Sequence, residues 1–424
     1  MPDQISKTSD SDFKKTQDRY ELERKKEKKR LRPDGAIQYI KLTDGPETNA
    51  QGAKSIASHR VIICDCFSQN SFVNEILFID TAGGFGGTWW WNQYPGLACD
   101  VESYIYMPLL EETNYMSSQK YVTGTELRDH ACRIASQWNL KERALFNTKL
   151  ISPEAAKHPP HLDRNLSFWP LDCSIRRRYM KLDGLNTYKG KVFHTSRWDY
   201  DYTGGTPINP TMHRLQDKTI GFVGTGAFAI QRTPSAVYMR DYRATDPAWW
   251  ARMVQAGGSG WQRKRRENFN AFVSNESPLP VVDLVDDGWT KMQSLSALIG
   301  GPSGLEPGYV MRMRQLDVSR QDAIRRRVED NVSDQATTRA LKPWYPGWCK
   351  RPCFSDTFLG AFNRSNAPLV DTDGKGVRVL TVRGIQVDGK VYDLDGIILG
   401  TGYTLGSSAD RGDLTVSGHD NRTL

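Results

Sequence analysis

The fold of this chain is decided by residues 188–199, which read YKGKVFHTSRWD. The segment starts with an aromatic residue, followed by a glycine two positions on, a histidine four later and Trp-Asp four after that. Taken alone, this pattern also fits an ordinary linker with a buried histidine and tryptophan. Its two neighbours in the chain each look like part of a nucleotide-binding unit, which favours a functional fingerprint. The fingerprint residues are Gly190, His194, Trp198 and Asp199.

The downstream neighbour is a glycine-rich turn after an apolar strand. Residues 218–231 read KTIGFVGTGAFAIQ, which predicts a strand, a Gly-x-Gly-x-x-Ala turn and the start of a helix. Such a turn lets backbone N–H groups approach a dinucleotide pyrophosphate at a helix N-terminus. The turn residues expected there are Gly224, Gly226 and Ala229.

Arg232 and Thr233 follow this turn at once. Adjacent parallel strands need a crossover of roughly a dozen or more residues, and no such crossover fits before Arg232. Pro234 also prevents a long continuation of the helix. Arg232 suits a phosphate because its guanidinium is planar and always charged, but its place relative to the turn departs from a complete unit.

The upstream neighbour begins with two short apolar strands, at 61–63 and 76–80. The residues between them contain no glycine, so the first diphosphate-binding turn of a dinucleotide fold is missing. Asp80 ends the second strand, where a carboxylate can accept hydrogen bonds from ribose hydroxyls. The alternative for Asp80 is a turn residue at the end of a strand.

Two further segments carry groups suited to chemistry. Residues 83–103 read GGFGGTWWWNQYPGLACDVES, which combines a glycine run and three adjacent tryptophans with Asp100. Residues 348–352 read WCKRP, which places two cations, Lys350 and Arg351, side by side. The alternatives are a capping carboxylate at Asp100 and a chance basic pair on a surface loop.

Together these segments resemble the type I Baeyer–Villiger monooxygenases, most closely the fungal members of polyketide and mycotoxin pathways. The resemblance runs from about residue 24 to residue 424 and includes the TGY turn at 401–403. Tyr188 stands where the family usually has phenylalanine, and Gln93 stands where it usually has arginine. The implied fold class is α/β, with two Rossmann-like dinucleotide-binding domains for FAD and NADP, both incomplete, and helical insertions.

The resemblance implies that NADPH reduces FAD, that the reduced flavin reacts with O2, and that the resulting peroxide anion attacks a ketone to give an ester or lactone. Arg351 would stabilise that anion beside the flavin, and Asp100 would orient Arg351. His194 and Trp198 would lie at the join between the two domains. The residues implied near FAD are Asp80, Gly87, Thr88, Trp89, Asn92, Tyr94, Asp100 and Tyr106. Those implied near NADPH are Gly224, Gly226, Ala229, Arg232, Thr233 and Lys350.

Chain order predicts four segments. They are a charged N-terminal extension at 1–60, an FAD-binding domain at 61–200, an NADP-binding domain with a helical insertion at 201–350, and a return to the FAD domain at 351–424. Helices are expected at 13–32, from 123 to 138, in the insertion at 267–290 and at 317–342. A hairpin turn is expected at Asp388-Gly389, and a buried strand from Asp395.

Composition limits the classes of protein. The chain has 424 residues, 38% hydrophobic and 25% charged, as in globular proteins. Its net charge is +8, but acids are interleaved with the early basic run, so nucleic acid is not an expected partner. Seven scattered cysteines without zinc spacing favour reduced thiols, no metal and a cytoplasmic protein. Neither a signal peptide nor an integral membrane segment is expected.

Three departures from the family argue against a complete enzyme: the missing first turn, the missing crossover and the early end of the chain. Two alternative explanations of these departures therefore stay open: the chain is an inactive remnant of the family, or the gene sequence was assembled with an error. A related flavin monooxygenase that acts on nitrogen or sulfur is a further alternative, but its fingerprint lacks the Trp-Asp ending seen at 198–199. The expected substrates are a small-molecule ketone and O2. The sequence does not predict which ketone, or the oligomeric state.

Overall fold

The structure is organised around one five-stranded parallel sheet, called here the central sheet. This computed structural model describes residues 10–30, 39–40, 78–148, 176–177, 179–180, 182–224, 230–299 and 308–404. All neighbouring strands of the central sheet are parallel. In spatial order the strands are Val370–Asp371, Ile230–Gln231, Ile220–Gly224, Gly396–Gly400 and Lys191–His194.

The strand Gly396–Gly400 forms the middle of the core, as its apolar sequence predicts. Its residues Ile397, Ile398 and Leu399 are each at most 2% exposed. A continuous apolar run is typical of a parallel strand with both faces covered. The strand pairs on one side with Ile220–Gly224 and on the other with Lys191–His194, so it joins the glycine-rich stretch to the fingerprint.

The prediction that a helix starts before Gln231 was wrong. Ile230–Gln231 is a strand that pairs in parallel with Val370–Asp371 and with Val223. Ile230 is 4% exposed and packs with Val223 and Ile397, so burial of this side chain in the sheet favours a strand over a helix. Gly226 and Ala229 belong to residues 225–229, which lie outside the described residues.

Gly224 has a packing role at the end of its strand. It lies opposite Gly400 in the register, and a Cβ at Gly224 would lie 2.4 Å from the Gly400 carbonyl oxygen. Because that oxygen belongs to the backbone, it cannot rotate away. The two strands therefore approach so closely at this point that only glycine fits at 224.

The predicted hairpin is confirmed. Strands Gly384–Val387 and Lys390–Asp393 are antiparallel, and Val379–Leu380 pairs with the first of them. The turn residues Asp388 and Gly389 have φ angles of 48° and 83°. Two successive positive φ values are what a two-residue hairpin turn requires, and Asp-Gly supplies them at low cost.

The helices largely match the sequence signals. Asp10–Arg30 confirms the N-terminal helix, and Tyr309–Asn331 with Gln335–Leu341 confirms the charged helical region. The insertion is helical over Trp261–Ser274 and then continues as turns through Thr290. The other α-helices are Thr88–Trp91, Ser103–Tyr106, Gly124–Gln137, Tyr200–Thr203, Pro247–Gly257, Ser296–Ile299 and Phe358–Ala361.

Short strand pairs lie outside the central sheet and the hairpin. Phe78–Ile79 is parallel to Ala144–Leu145, and Val237–Tyr238 is parallel to Cys353–Phe354. Two antiparallel pairs join Tyr39–Ile40 to Tyr179–Met180 and Arg176–Arg177 to Tyr403–Thr404. The strand predicted at 61–63 lies outside the described residues. In the part of the chain that the structure describes, every helix is too short or too polar to cross a membrane.

The central sheet crosses two of the domain boundaries expected from chain order. Its strands come from the segments 61–200, 201–350 and 351–424. The fingerprint strand Lys191–His194 and the strand Ile220–Gly224 flank the same neighbour, so a boundary at 200 separates strands that share one sheet. The four-segment division stays a prediction.

Replacing Gly224 by alanine tests the close approach of the two strands. We expect the Gly224→Ala variant to lose about 1–3 kcal/mol of free energy of unfolding, because the new methyl group overlaps a backbone oxygen. Urea unfolding at 25 °C measures this loss. Gly360→Ala is the matched control, because nothing lies within 4 Å of its Cβ position in the helix Phe358–Ala361, and it should be neutral or slightly stabilising. Equal stability of the two variants would show that Gly224 has room for a side chain.

Candidate active site

Asp100 and Arg351, the two residues implied in catalysis, form one ion pair. Two parallel hydrogen bonds run from the Arg351 guanidinium to the Asp100 carboxylate, Nη1 to Oδ2 at 2.5 Å and Nη2 to Oδ1 at 2.9 Å. The side chain of Asp100 is 21% exposed and that of Arg351 is 67% exposed. The carboxylate therefore fixes one edge of the guanidinium, although most of the Arg351 side chain is exposed.

Electrostatics keeps this arginine charged. Its hydrogen bonds to Asp100 raise the pKa of Arg351 above its usual value, and this exceeds the opposing effect of burial. A guanidinium held by a bidentate carboxylate has a fixed plane as well as a fixed charge. The pair can therefore present a permanent, oriented cation to a ligand.

A parallel strand pair places Arg351 in the fold. Cys353–Phe354 pairs with Val237–Tyr238, and the Cys353 amide donates to the Ala236 carbonyl at 3.1 Å. This register lays residues 350–352 beside 234–236. The segment that carries Arg351 is thus held against the segment that follows Arg232.

Lys350 and Thr233 meet as a result. The Lys350 Nζ donates to the Thr233 hydroxyl at 2.5 Å and lies 4.4 Å from the centre of the Tyr345 ring. The Tyr345 hydroxyl in turn accepts the Ala236 amide at 2.9 Å. Arg232, which precedes Thr233, is partly buried. An ammonium group, a hydroxyl group and a neighbouring guanidinium are the donor types that bind phosphate.

Trp289 is a site residue that the sequence reasoning missed. Its indole Nε1 donates to the Asp100 backbone carbonyl at 2.7 Å, and the Arg351 guanidinium carbon lies 5.6 Å from the centre of its ring. The sequence assigned 267–290 to an insertion without chemistry. No spacing rule links residues 100 and 289, so only the three-dimensional structure reveals this contact.

Several of the residues implied near FAD contact other aromatic residues, and Tyr94 lies near Asp100. The Trp89 ring stands edge-on to Tyr106, with ring centres 5.8 Å apart. Asn92 accepts a hydrogen bond from the Tyr403 hydroxyl at 2.7 Å. Burial raises the pKa of Tyr94, and the nearby Tyr403 and Asp100 raise it further. Gly87 and Thr88 are exposed, and Gly87 has a φ of 53° with open space at its Cβ position.

Gly83 and Gly84 of this segment have a packing role. A Cβ on Gly83 or on Gly84 would lie 2.9 Å or 2.6 Å from the Trp90 ring, so both residues make room for this tryptophan. Asp80 uses its Oδ1 atom to accept the Ala82 amide at 2.8 Å. This contact matches the alternative of a strand-end turn residue. The ribose role of Asp80 stays a prediction.

The first half of the fingerprint is a packing unit. The Tyr188 ring folds over Gly190, where a Cβ would lie 2.1 Å from the Tyr188 hydroxyl oxygen. That hydroxyl donates to the Leu394 carbonyl at 2.8 Å, and burial raises the pKa of Tyr188 to about 12. The hydroxyl that distinguishes this tyrosine from the usual phenylalanine is therefore satisfied by the chain that enters the strand Gly396–Gly400.

The second half of the fingerprint binds segments far apart in the sequence. His194 is 1% exposed, and its Nε2 lies 3.2 Å from the Gly402 carbonyl oxygen. The Trp198 indole donates to the Thr203 hydroxyl at 2.9 Å, and its ring stacks on Phe222. These contacts fix both side chains, and their implied place at the join between two domains stays a prediction.

The fingerprint also contacts the tryptophan-rich segment. The Arg197 guanidinium lies 3.8 Å from the centre of the Trp91 ring, and the Tyr200 hydroxyl donates to the Gln93 carbonyl at 2.6 Å. Residues 197–200 thus lie between the central sheet and residues 91–93. Of the implied site residues, Gly226 and Ala229 are the two that lie outside the described residues. The described residues contain no group of three or more histidine, cysteine, aspartate or glutamate side chains able to hold a metal ion.

Known proteins with this architecture identify the family. The solved structure of polycyclic ketone monooxygenase from the thermophilic fungus Thermothelomyces thermophila matches with a TM-score of 0.83 and 36% identity, covering 97% of this chain and 77% of that one. The chain belongs to the type I Baeyer–Villiger monooxygenase family. The α/β fold class expected from the sequence is thereby confirmed. No model of a known protein family matches the chain.

Two further proteins are similar to this chain, one in sequence and one in fold. The FAD-binding monooxygenase ausC of Emericella nidulans is 47% identical over 393 residues, covering 82% of this chain and 58% of that protein. This chain thus spans less than two thirds of that relative's length. The aligned length exceeds the covered part of this chain, so the relative has residues within the aligned region that this chain lacks. The structure of OTEMO in complex with FAD and NADP shares the fold, with a TM-score of 0.59 and 22% identity.

The ion pair between Lys191 and Asp199, 2.7 Å apart, generates a pH-dependent prediction. Burial opposes ionisation of Asp199, but hydrogen bonds from Lys191 and the Tyr202 amide, with the lysine charge, lower its pKa below the usual value of an aspartate. Its stabilising effect is therefore present above the unfolded-state pKa and is lost as pH falls through the folded-state pKa.

We expect Asp199→Asn to lower the free energy of unfolding by about 0.5 kcal/mol at pH 7, and the difference to fade as the pH falls below about 4. Urea unfolding between pH 2.5 and 7 measures it. The control is Asp201→Asn, which changes an exposed aspartate in the same short helix. A deficit that stays constant over this pH range would contradict the ion-pair explanation.

Proposed function

We propose that this chain is an FAD- and NADPH-dependent monooxygenase that inserts one oxygen atom of O2 next to a ketone carbonyl, giving an ester or lactone. The observation that carries the proposal is the bidentate Asp100–Arg351 pair, set in a chain of the Baeyer–Villiger family. When bound, FAD would supply the oxygen-transfer chemistry and NADPH the reducing hydride. The contribution of the chain is placement and charge.

The residues around Asp100 fit a flat, polar ligand. Trp89 and Tyr106 form an aromatic corner, Gly87 offers exposed backbone, and Tyr94 lies beside the carboxylate. We propose that these residues, with Thr88 and Asn92, bind the flavin of FAD. The stretch 61–77, where a diphosphate turn would begin, lies outside the described residues.

The residues around Thr233 fit the phosphate of NADPH. Lys350 and Thr233 are already in contact, so their donors converge, and Arg232 is the adjacent residue. An ammonium ion and a hydroxyl so close together can each turn a hydrogen toward one shared anion. We propose that this cluster recognises the 2′-phosphate that distinguishes NADPH from NADH.

Arg351 would act on negative charge that develops on oxygen beside the bound flavin. An oriented cation stabilises such charge without reorganising at the moment of reaction, which is the main electrostatic contribution in many enzymes. Asp100 would keep the guanidinium in one plane, and the aromatic corner of Trp89 and Tyr106 would exclude water. The neighbouring Lys350 would bind the 2′-phosphate of NADPH.

The relatives indicate the class of substrate. A polycyclic ketone is the substrate named for the relative from Thermothelomyces thermophila. We propose a polycyclic ketone of fungal secondary metabolism as the substrate here. We also propose that the NADP-binding unit is built on the central sheet, which places the fingerprint inside that unit at its contact with the FAD-binding residues.

The first test is flavin binding followed by turnover. The purified chain is incubated with FAD, passed through a gel-filtration column, and examined for the flavin absorbance near 450 nm. It is then given NADPH, O2 and a set of polycyclic ketones, and products are sought by mass spectrometry as ketone plus one oxygen. Absence of bound flavin would favour an inactive remnant. Oxidation of amines or sulfides without ester or lactone formation would favour the related flavin monooxygenases.

Arg351→Lys tests the oriented cation. Lysine retains the charge but not the planar, bidentate contact with Asp100, so we expect ester or lactone formation to fall by about 100-fold or more while NADPH oxidation continues as hydrogen peroxide release. Oxygen uptake and product yield per NADPH measure this loss of coupling. The control is Arg339→Lys, at an exposed position in the helix Gln335–Leu341. Full coupling in Arg351→Lys would exclude a role for the guanidinium geometry.

Lys350→Ala tests the proposed phosphate site. Loss of a charge-assisted hydrogen bond, about 1.5–3 kcal/mol, predicts a KM for NADPH raised by about 10- to 100-fold. The KM for NADH should change little, because NADH lacks the 2′-phosphate. Initial rates at varied NADPH and NADH concentrations measure both KM values. The control is Lys342→Ala, because Lys342 is bound by Glu329 and is not part of the proposed phosphate site. Equal effects on the two cofactors would place Lys350 away from that phosphate.

A further inference from the structure

Trp289 contacts both members of the Asp100–Arg351 pair. Its indole N–H donates to the backbone carbonyl of Asp100 at 2.7 Å, while the face of its ring lies under the guanidinium of Arg351 at 5.6 Å. The carboxylate of Asp100 binds Arg351 directly. Each of the three residues therefore contacts the other two.

The indole is itself held firmly. The Asp287 carboxylate, which is buried, accepts the Trp289 amide at 2.8 Å and the Thr290 amide at 3.2 Å. The Tyr121 hydroxyl donates to the other oxygen of Asp287 at 3.1 Å. The Trp289 ring is 9% exposed and packs against Phe354, with ring centres 5.0 Å apart. These contacts hold the Trp289 side chain in one position.

A firmly held indole matters because the ion pair by itself does not fix the guanidinium and the carboxylate relative to the rest of the protein. Arg351 is mostly exposed, and the two parallel hydrogen bonds allow the guanidinium and the carboxylate to swing together about the Asp100 side chain. The indole N–H fixes the Asp100 backbone, and the ring face fixes the guanidinium by a cation–π contact. These two contacts remove that motion.

We propose that Trp289 is a positioning residue, which holds Arg351 and Asp100 in the one geometry that the reaction uses. It acts through Arg351 and does not itself touch the reacting atoms. The consequence for catalysis rests on the proposed function, whereas the effect on Arg351 does not. The turn that carries Trp289 is tied to the helix Tyr309–Asn331, since Arg320 donates to the Gly288 carbonyl at 2.8 Å, so the helical insertion supports the site.

The test uses the full chain without cofactors. Phenylglyoxal, which modifies arginine guanidinium groups, is added to the unchanged chain, Trp289→Phe and Trp289→Leu, and the modification of Arg351 is followed by peptide mass spectrometry. Phenylalanine keeps a ring face but lacks the indole donor, and leucine lacks both. We expect Arg351 to react about 3-fold faster in Trp289→Phe and about 10-fold faster in Trp289→Leu.

Two internal references separate positioning from loosening of the fold. The first reference is Arg265, which is held by the buried Glu102 and would react faster with phenylglyoxal only if the fold loosened. We expect its rate of modification to be unchanged in both variants. Trp344→Phe is the matched control, because Trp344 stacks on Arg325, 4.4 Å away, and its loss should leave Arg351 unchanged. Unchanged reactivity of Arg351 in both Trp289 variants would overturn the proposal, as would an equal increase at Arg351 and Arg265 in Trp289→Phe.

A second measurement concerns the reaction. In Trp289→Phe reconstituted with FAD, we expect the yield of oxygenated ketone per NADPH to fall about 3- to 10-fold, with the KM for NADPH unchanged. If Arg351 becomes more reactive while this yield stays at its original value, the catalytic half of the proposal is wrong. If no ketone is oxidised even by the unchanged chain, the proposed function fails, and the phenylglyoxal result still decides whether Trp289 positions Arg351.

Discussion

The ion pair between Asp100 and Arg351 is the constraint on which the account of this molecule depends. It joins two residues separated by 251 positions in the chain. Exposed ion pairs typically contribute only ~0.2–1 kcal/mol to stability, and Arg351 is 67% exposed, so the pair does not hold the fold together. Instead, other contacts of the fold hold the pair in place, some near Asp100 and others near Arg351.

On the Asp100 side, the anchor lies two residues away. Glu102 is fully buried and binds Arg265 through two hydrogen bonds, one of them 3.0 Å between Nη2 and Oε2. Loss of one partner from such a buried pair is strongly destabilising, so this contact fixes the local backbone. On the Arg351 side, the pairing of Cys353–Phe354 with Val237–Tyr238 sets the register. Trp289 then bridges the two sides.

Local signals in the sequence predicted local structure well. The Asp388-Gly389 turn, the buried strand Gly396–Gly400 and the long charged helices each follow from short-range rules, and the structure has all of them. The sequence failed where tertiary packing decides. Ile230 joins a strand because its side chain is buried. The close packing at Gly83, Gly84 and Gly224 depends on residues distant in the chain or on side-chain positions, so the sequence did not predict it, and the cofactor role implied for Gly224 stays a prediction. The Trp289 contact with Asp100 spans 189 positions, and no local rule reaches that far.

The most direct measurement is a double-mutant cycle on ketone oxidation with Asp100→Asn, Arg351→Lys and the double variant. If the carboxylate acts only by orienting the guanidinium, Asp100→Asn lowers the rate in the unchanged chain but adds little once Arg351 is lysine. The account therefore predicts that the double variant is about as slow as Arg351→Lys alone. Effects that multiply independently would contradict it, because they would mean that Asp100 and Arg351 act on the reaction separately.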